Sequence, residues 1–171
     1  DFLNVARLEN NRLKPQLEAV NVRNIIEGVL KDQQINLDNR KHRVDVTCDD
    51  TAYVTADAHL LSFILNNLVS NASKYSDEGK KIVVEVRESA NTYHISVIDE
   101  GVGVQAENIE RLFQRFSRVQ NNLSATVGGT GLGLYIAKKM VGLMNGTLEV
   151  RSKINTGSRF IVTLPKGEKN G

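Results

Sequence analysis

Apolar residues along this 171-residue chain fall into two rhythms, one near 3.6 and one of two, and their alternation outlines the elements. Phe2, Leu3, Ala6 and Leu13 stand near helical spacing up to Pro15, which predicts a helix that stops there. Asn24 to Leu37 predicts a second helix, with Ile25, Ile26, Val29 and Leu30 on one side. Val44, Val46 and Cys48 alternate with polar neighbours as in a half-buried strand, and Tyr53 to Thr55 adds a short one. The longest helical pattern runs from Asp57, an acidic cap, to Tyr75, with Leu61, Leu65, Leu68, Val69 and Ala72 as its apolar stripe. Ile82, Val84 and Val86, then Ile95 and Val97, predict an antiparallel pair joined across residues 89–92. Ile109, Leu112, Phe113 and Phe116 carry the spacing of a short amphipathic helix. Gln120 to Thr130 has no period and is rich in Asn, Ser, Thr and Gly, which predicts a mobile loop. A last helix, Leu132 to Met144, should stop at Asn145-Gly146, and Leu148 to Lys153 and Arg159 to Leu164 should pair across Asn155-Thr156-Gly157. Helices mixed with antiparallel strand pairs predict an α+β fold. The expected form is a two-layer α/β sandwich whose mixed, mostly antiparallel sheet is covered by helices, rather than a βαβ alternation.

Composition narrows the class. With 25% charged and 40% hydrophobic residues the chain suits one or at most two globular domains, which excludes a disordered tail, a collagen-like repeat or a coiled-coil rod. The single cysteine, Cys48, allows no internal disulfide, and no apolar run approaches the roughly 18 residues of a membrane helix. A cytoplasmic setting fits, while the parent could still be membrane-anchored: the opening DFLNVARLENN has neither Met nor secretion signal and reads as a piece of something longer. Thirteen glycines stand against two prolines, and six of them (101, 103, 128, 129, 131 and 133) fall in one region. Charge gathers there too. From Arg111 to Leu148 there are five basic residues and no acidic ones, leaving 17 basic against 20 acidic elsewhere, so a net +2 divides into +5 and −3. A solvated basic loop would explain the charge alone, whereas glycine and charge together suit a small polyanion such as a nucleoside triphosphate. Nucleic acid is disfavoured, since aromatics are only 5% and Trp is absent.

Three constellations could carry chemistry. Asn67, Asn71 and Lys74 lie within about 60° of one another around the long helix, at the margin of its apolar stripe. Amide oxygens are hard donors suited to Mg²⁺, and a lysine one turn on can meet a phosphate, although the same three residues could simply be solvated. Asp99, in Asp99-Glu100-Gly101-Val102-Gly103, shares a strand face with Ile95 and Val97 and so points toward the core, where a carboxylate needs donors. An adenine amine is one candidate, and backbone amides of a tight turn are the other. Gly128-Gly129-Thr130-Gly131-Leu132-Gly133-Leu134 opens the last helix and leaves N–H groups free for phosphate at a helix start. It is not a Walker loop, since Leu134 stands where the lysine should be.

The order and spacing of these three motifs resemble the catalytic and ATP-binding domain of bacterial sensor histidine kinases, a Bergerat-type nucleotide fold, from Val20 to Pro165. Leu65 to Tyr75 resembles the N box, Asp99 to Gly103 the first glycine box, Leu112 to Phe116 the F box, and Gly129 to Leu134 the second glycine box. Leu8 to Leu13 resembles the end of the second helix of a dimerisation and phosphoacceptor domain, which would make residues 1–16 a stub and 17–171 the catalytic domain. The resemblance implies ATP and Mg²⁺ as ligands, with Asn71 coordinating the metal, Asn67 supporting it and Lys74 on phosphate. Tyr75 would line the adenine side and Asp99 would accept from the adenine amine, beside Gly101, Gly103 and Val104. Gly129, Thr130, Gly131, Leu132, Gly133 and Leu134 would surround the phosphates, Arg115 or Arg118 would reach the γ-phosphate, and about 117–130 would be the ATP lid.

The activity so implied is protein-histidine kinase, with partners in the phosphoacceptor histidine domain of the same or a dimer-partner chain and in a response regulator. The fragment itself would be monomeric and its parent a homodimer. In hydrolytic relatives of the family the position of Asn67 is typically a Glu acting as general base. A neutral amide cannot take a proton, which argues against simple ATP hydrolysis and against serine phosphorylation. No acceptor is in sight either: His42, His59 and His94 are followed by Arg43, Leu60 and Ile95 rather than by an acidic residue. The fragment should therefore not phosphorylate itself. A regulatory nucleotide-binding domain and an ATPase clamp are the alternatives to transfer.

Overall fold

The computed structural model describes residues 2–117 and 131–169. Helix α1 (Phe2–Glu9) ends before Pro15, and the chain after it is tied down where Gln16 N–H donates to Asp57 Oδ2 at 2.9 Å. Strand β1 (Glu18–Asn21) leads into α2 (Val22–Asn39), whose start is capped by Asn21 accepting from Asn24 N–H. After β2 (Val44–Thr47) and β3 (Tyr53–Ala56), the helix α3 (Ala58–Lys74) begins at Asp57, whose Oδ1 accepts from His59 and Leu60 N–H. The acidic cap is thus where the sequence placed it. Every residue of the expected stripe, Leu61, Leu65, Leu68, Val69 and Ala72, is buried.

Strands β4 (Ile82–Glu88) and β5 (Thr92–Asp99), helix α4 (Gly133–Leu143) and the hairpin β6 (Thr147–Lys153) and β7 (Gly157–Pro165) complete the fold. The main sheet has the order β2-β4-β5-β7-β6; β2 pairs with β4 in parallel and the other neighbours are antiparallel. The inward rows Ile82-Val84, Ile95-Val97 and Phe160-Val162-Leu164 pack beneath α2, α3 and α4, so the layers are those of an α+β sandwich.

Three sequence expectations change. β1 was not foreseen; it pairs antiparallel with β3 in a separate two-stranded sheet, Val20 opposite Val54. The stretch Ile109 to Phe116 is not one amphipathic helix but two short 3₁₀ turns, Ala106–Asn108 and Glu110–Phe113, because Gln114 is extended and Phe116 adopts a left-handed φ of 57°. The first helix stops at Glu9, about a turn before Leu13. Among the described residues no helix is long and apolar enough to cross a membrane.

Candidate functional site

The site residues gather where three adjacent strand rows and two helix ends meet. Along β5 the inward row Ile95, Val97, Asp99 ends in a carboxylate, and Asp99 is only 8% exposed. Two backbone donors hold one of its oxygens: Gly101 N–H at 2.9 Å and Ser158 N–H at 3.2 Å both reach Oδ1. Its Oδ2 accepts from no described residue. Burial pushes the carboxyl up to about 6, against the opposing pull of those two donors. The turn that follows fits only glycine at two points. A Cβ on Gly101 would stand 2.4 Å from the Tyr75 carbonyl oxygen, and Gly103, at φ +70°, would set its own 2.0 Å from that of Lys153.

Tyr75 closes α3 and accepts from Val102 N–H at 3.2 Å, so the end of the helix and the glycine turn are one unit. Arg40, which carried no signal in the sequence, secures that helix end by donating to the carbonyls of Ser73 at 3.2 Å and Ser76 at 2.6 Å. On the same helix Asn67 bends back to donate from Nδ2 to the Phe63 carbonyl at 3.3 Å, and its Oδ1 faces Gly133 at the start of α4. The amide oxygens of Asn67 and Asn71 accept no hydrogen bond from a described residue, and Lys74 makes no ion pair among them. These are the hard donors and the cation that a Mg²⁺–phosphate group would use. No cluster of three His, Cys, Asp or Glu able to hold a metal occurs among the described residues.

Helix α4 starts at Gly133, and the Leu132 side chain before it makes no capping hydrogen bond. Gly131, at φ +73°, packs its Cα against the backbone of Phe116 and Ser117, while Leu132 is fully buried and Leu134 partly so. Arg115 lies beside the first turn of α4, its guanidinium about 6.0 Å from the Tyr135 ring, and its Nη1 donates to Glu9 Oε1 of α1 at 2.6 Å. Val104, at the far end of the first glycine turn, donates its N–H to Ser152 Oγ at 2.8 Å. Arg118, Gly129, Thr130 and nearly all of the expected lid, 117–130, lie outside the described residues.

Sequence reasoning missed Ser152 and Ser158. Both are polar residues in inward rows that are otherwise apolar, and they face each other at 2.7 Å between their hydroxyls. That signal becomes visible only once strand register is known.

Comparison with known proteins gives the family. Over 97% of its length the chain is 34% identical to the sensor-like histidine kinase SenX3 of Mycolicibacterium smegmatis, and over 97% it is 32% identical to the histidine protein kinase SaeS of Staphylococcus aureus. It spans 43% and 48% of those two proteins. Among solved structures, the catalytic domain of histidine kinase ThkA superposes with a TM-score of 0.78 at 25% identity, covering 89% of this chain and 97% of that one. The profile of the histidine kinase-, DNA gyrase B- and HSP90-like ATPases matches residues 56–168, and the chain belongs to that family.

Proposed function

We propose that this chain is the catalytic domain of a protein-histidine kinase: it binds Mg·ATP and hands the γ-phosphate to a histidine of a phosphoacceptor domain outside these residues. The observation that carries the reading is the meeting of Asn67 with Gly133, which sets the first N-box amide against the start of α4. Metal donors and an anion-binding helix end then share one wall. Asp99 accepts the adenine 6-amine through Oδ2, with Tyr75 alongside and Gly101, Gly103 and Val104 beneath. Lys74 meets phosphate, and Gly129 to Leu134 surround it. Arg115 and Arg118 serve the γ-phosphate, under a lid of about 117–130. Asn71, with Asn67 in support, would hold Mg²⁺, which would supply charge neutralisation at the phosphates.

The protein's part in transfer is positioning and charge neutralisation. The acceptor nitrogen forms the new bond to the γ-phosphorus as the bond to the bridging oxygen breaks and ADP departs. Asn67 cannot take a proton, so the base belongs with the acceptor domain. Residues 1–16 are a stub that carries the end of that domain's second helix, and the parent is a homodimer that passes phosphate on to a response regulator, with this domain on the cytoplasmic side.

Mixing the chain with its phosphoacceptor domain and γ-labelled ATP tests the reading. Acid-labile phosphate on that domain supports it. Tight ATP binding without transfer would make the chain a regulatory module, and turnover by the chain alone would make it a clamp.

A further inference from the structure

In three neighbouring strands the inward row changes from apolar to polar at the same level. Leu148 and Val150 lead to Ser152 in β6; Phe160, Val162 and Leu164 flank Ser158 in β7; Ile95 and Val97 lead to Asp99 in β5. The register sets Ser152 opposite Ser158 and Ser158 opposite Asp99. Core packing gives no reason for a hydroxyl at 152, where the row calls for another aliphatic side chain.

Hydrogen bonds give the reason. Ser152 Oγ accepts from Val104 N–H at 2.8 Å, lies 3.1 Å from the Gly157 carbonyl, to which it can donate, and sits 2.7 Å from Ser158 Oγ. One hydroxyl therefore joins the first glycine turn to β7. The turn's near end is tied twice, by Val102 N–H to the Tyr75 carbonyl and by Asn155 N–H to the Val102 carbonyl. Its far end, Gly103-Val104, has Ser152 Oγ as its sole hydrogen-bond tie among the described residues. Turn and strand each supply one of the two donors that grip Asp99 Oδ1, Gly101 N–H from the turn and Ser158 N–H from β7. The spacing of those donors decides whether Oδ1 is held and Oδ2 presented outward.

We propose that Ser152 is a positioning residue for base recognition: by tying Val104 to β7 it fixes both donors on Asp99 Oδ1 and so aims Oδ2 at the 6-amine of a purine. This rests on the reading of Asp99 as the adenine acceptor. Ser152 acts through that carboxylate and leaves the triphosphate untouched.

ATP and ITP separate the two roles, since they carry the same triphosphate and differ at the purine 6-position, amine against keto oxygen. Calorimetric titration of the wild-type chain with each gives a reference ratio, and a wild type that does not favour ATP overturns the Asp99 reading itself. If it does favour ATP, Ser152→Ala should weaken ATP by about tenfold, the scale of one lost hydrogen-bond arrangement, and leave ITP within about twofold. Ser152→Thr, which keeps the hydroxyl, should retain the wild-type ratio. An unchanged ratio in S152A, an equal loss for both nucleotides, or a ratio lost equally in S152T overturns the proposal while leaving Asp99 in place. Should S152A not fold, Ser152→Cys, of similar volume and with a weak acceptor, carries the same comparison.

Discussion

Asn67 and Gly133 occupy adjoining space: a Cβ on Gly133 would stand 2.3 Å from Asn67 Oδ1. Two motifs separated by more than sixty residues are thereby locked side by side. On helix propensity alone Gly133→Ala would gain up to about 1 kcal/mol. The atom in the way is the end of a side chain, so the fold can yield by swinging Asn67 aside at the expense of its 3.3 Å bond to the Phe63 carbonyl. We expect Gly133→Ala to keep a melting temperature near that of the wild type and to lose ATP binding by about tenfold or more, as misplaced positioning groups do. Calorimetry beside thermal unfolding checks this, and undiminished binding would detach Asn67 from the metal and phosphate site.

Gly103 should behave in the opposite way. Its φ is +70° and a Cβ would stand 2.0 Å from the Lys153 carbonyl oxygen, a backbone atom that cannot step aside. Gly103→Ala should lower stability by about 2 kcal/mol or more, from the left-handed backbone and the displaced β6–β7 turn together. Urea unfolding midpoints measure it. A loss under about 0.5 kcal/mol, the scale of ordinary surface changes, would mean that the hairpin is free to move.

How much of this was legible in the sequence depends on whether the information was local. The stripe Leu61 to Ala72 and the alternation Ile95-Val97-Asp99 are local, and both led to the right buried faces. The hairpin turn was equally plain, with Asn155 at φ 61° and Gly157 at φ 140°. Strand β1 left no trace because Val20 is the one fully buried position in its four residues, and it forms only by pairing with β3. Residues 109–116 had helical spacing, but Phe116 turns left-handed and is 52% exposed, so tertiary geometry overrode the pattern. Ser152, Ser158 and Arg40 join the site through hydrogen bonds to residues 33 to 59 positions away in the chain, a separation that periodicity does not read.

Asp99→Asn should move stability and binding in opposite directions. The folded carboxyl titrates at about 6 against an ordinary value of 3.8, because burial favours its protonated form. The stabilisation this gives is complete below the ordinary value and is lost as pH rises through about 6, an effect of roughly 3 kcal/mol at most. Asn has no such slope, so the variant should gain on the wild type between about pH 4 and 7 in paired denaturation curves. Its Oδ1 can still accept from Gly101 and Ser158, which puts Nδ2, a donor, where Oδ2 stood. A purine 6-amine then meets a donor and a 6-keto oxygen meets its complement. The expected result is a preference reversed from ATP to ITP, and an unaltered preference for ATP would remove Asp99 from base recognition.

Arg115 is shared between two demands. Its guanidinium bonds Glu9 of α1 at 2.6 Å, with the two side chains 47% and 42% exposed, beside the first turn of α4, the helix proposed above to meet phosphate. So open a pair contributes about 1 kcal/mol or less to stability and is screened by salt. Glu9→Gln should therefore leave the fold intact while releasing the arginine. If Arg115 serves the γ-phosphate, release should strengthen ATP by about twofold to fivefold, a coupling of the order of one exposed ion pair, and leave ADP unchanged. Arg115→Ala should weaken ATP and again spare ADP. Titration of both nucleotides against the two variants decides the matter: an ATP-to-ADP ratio that neither substitution moves assigns Arg115 to the docking of α1 alone.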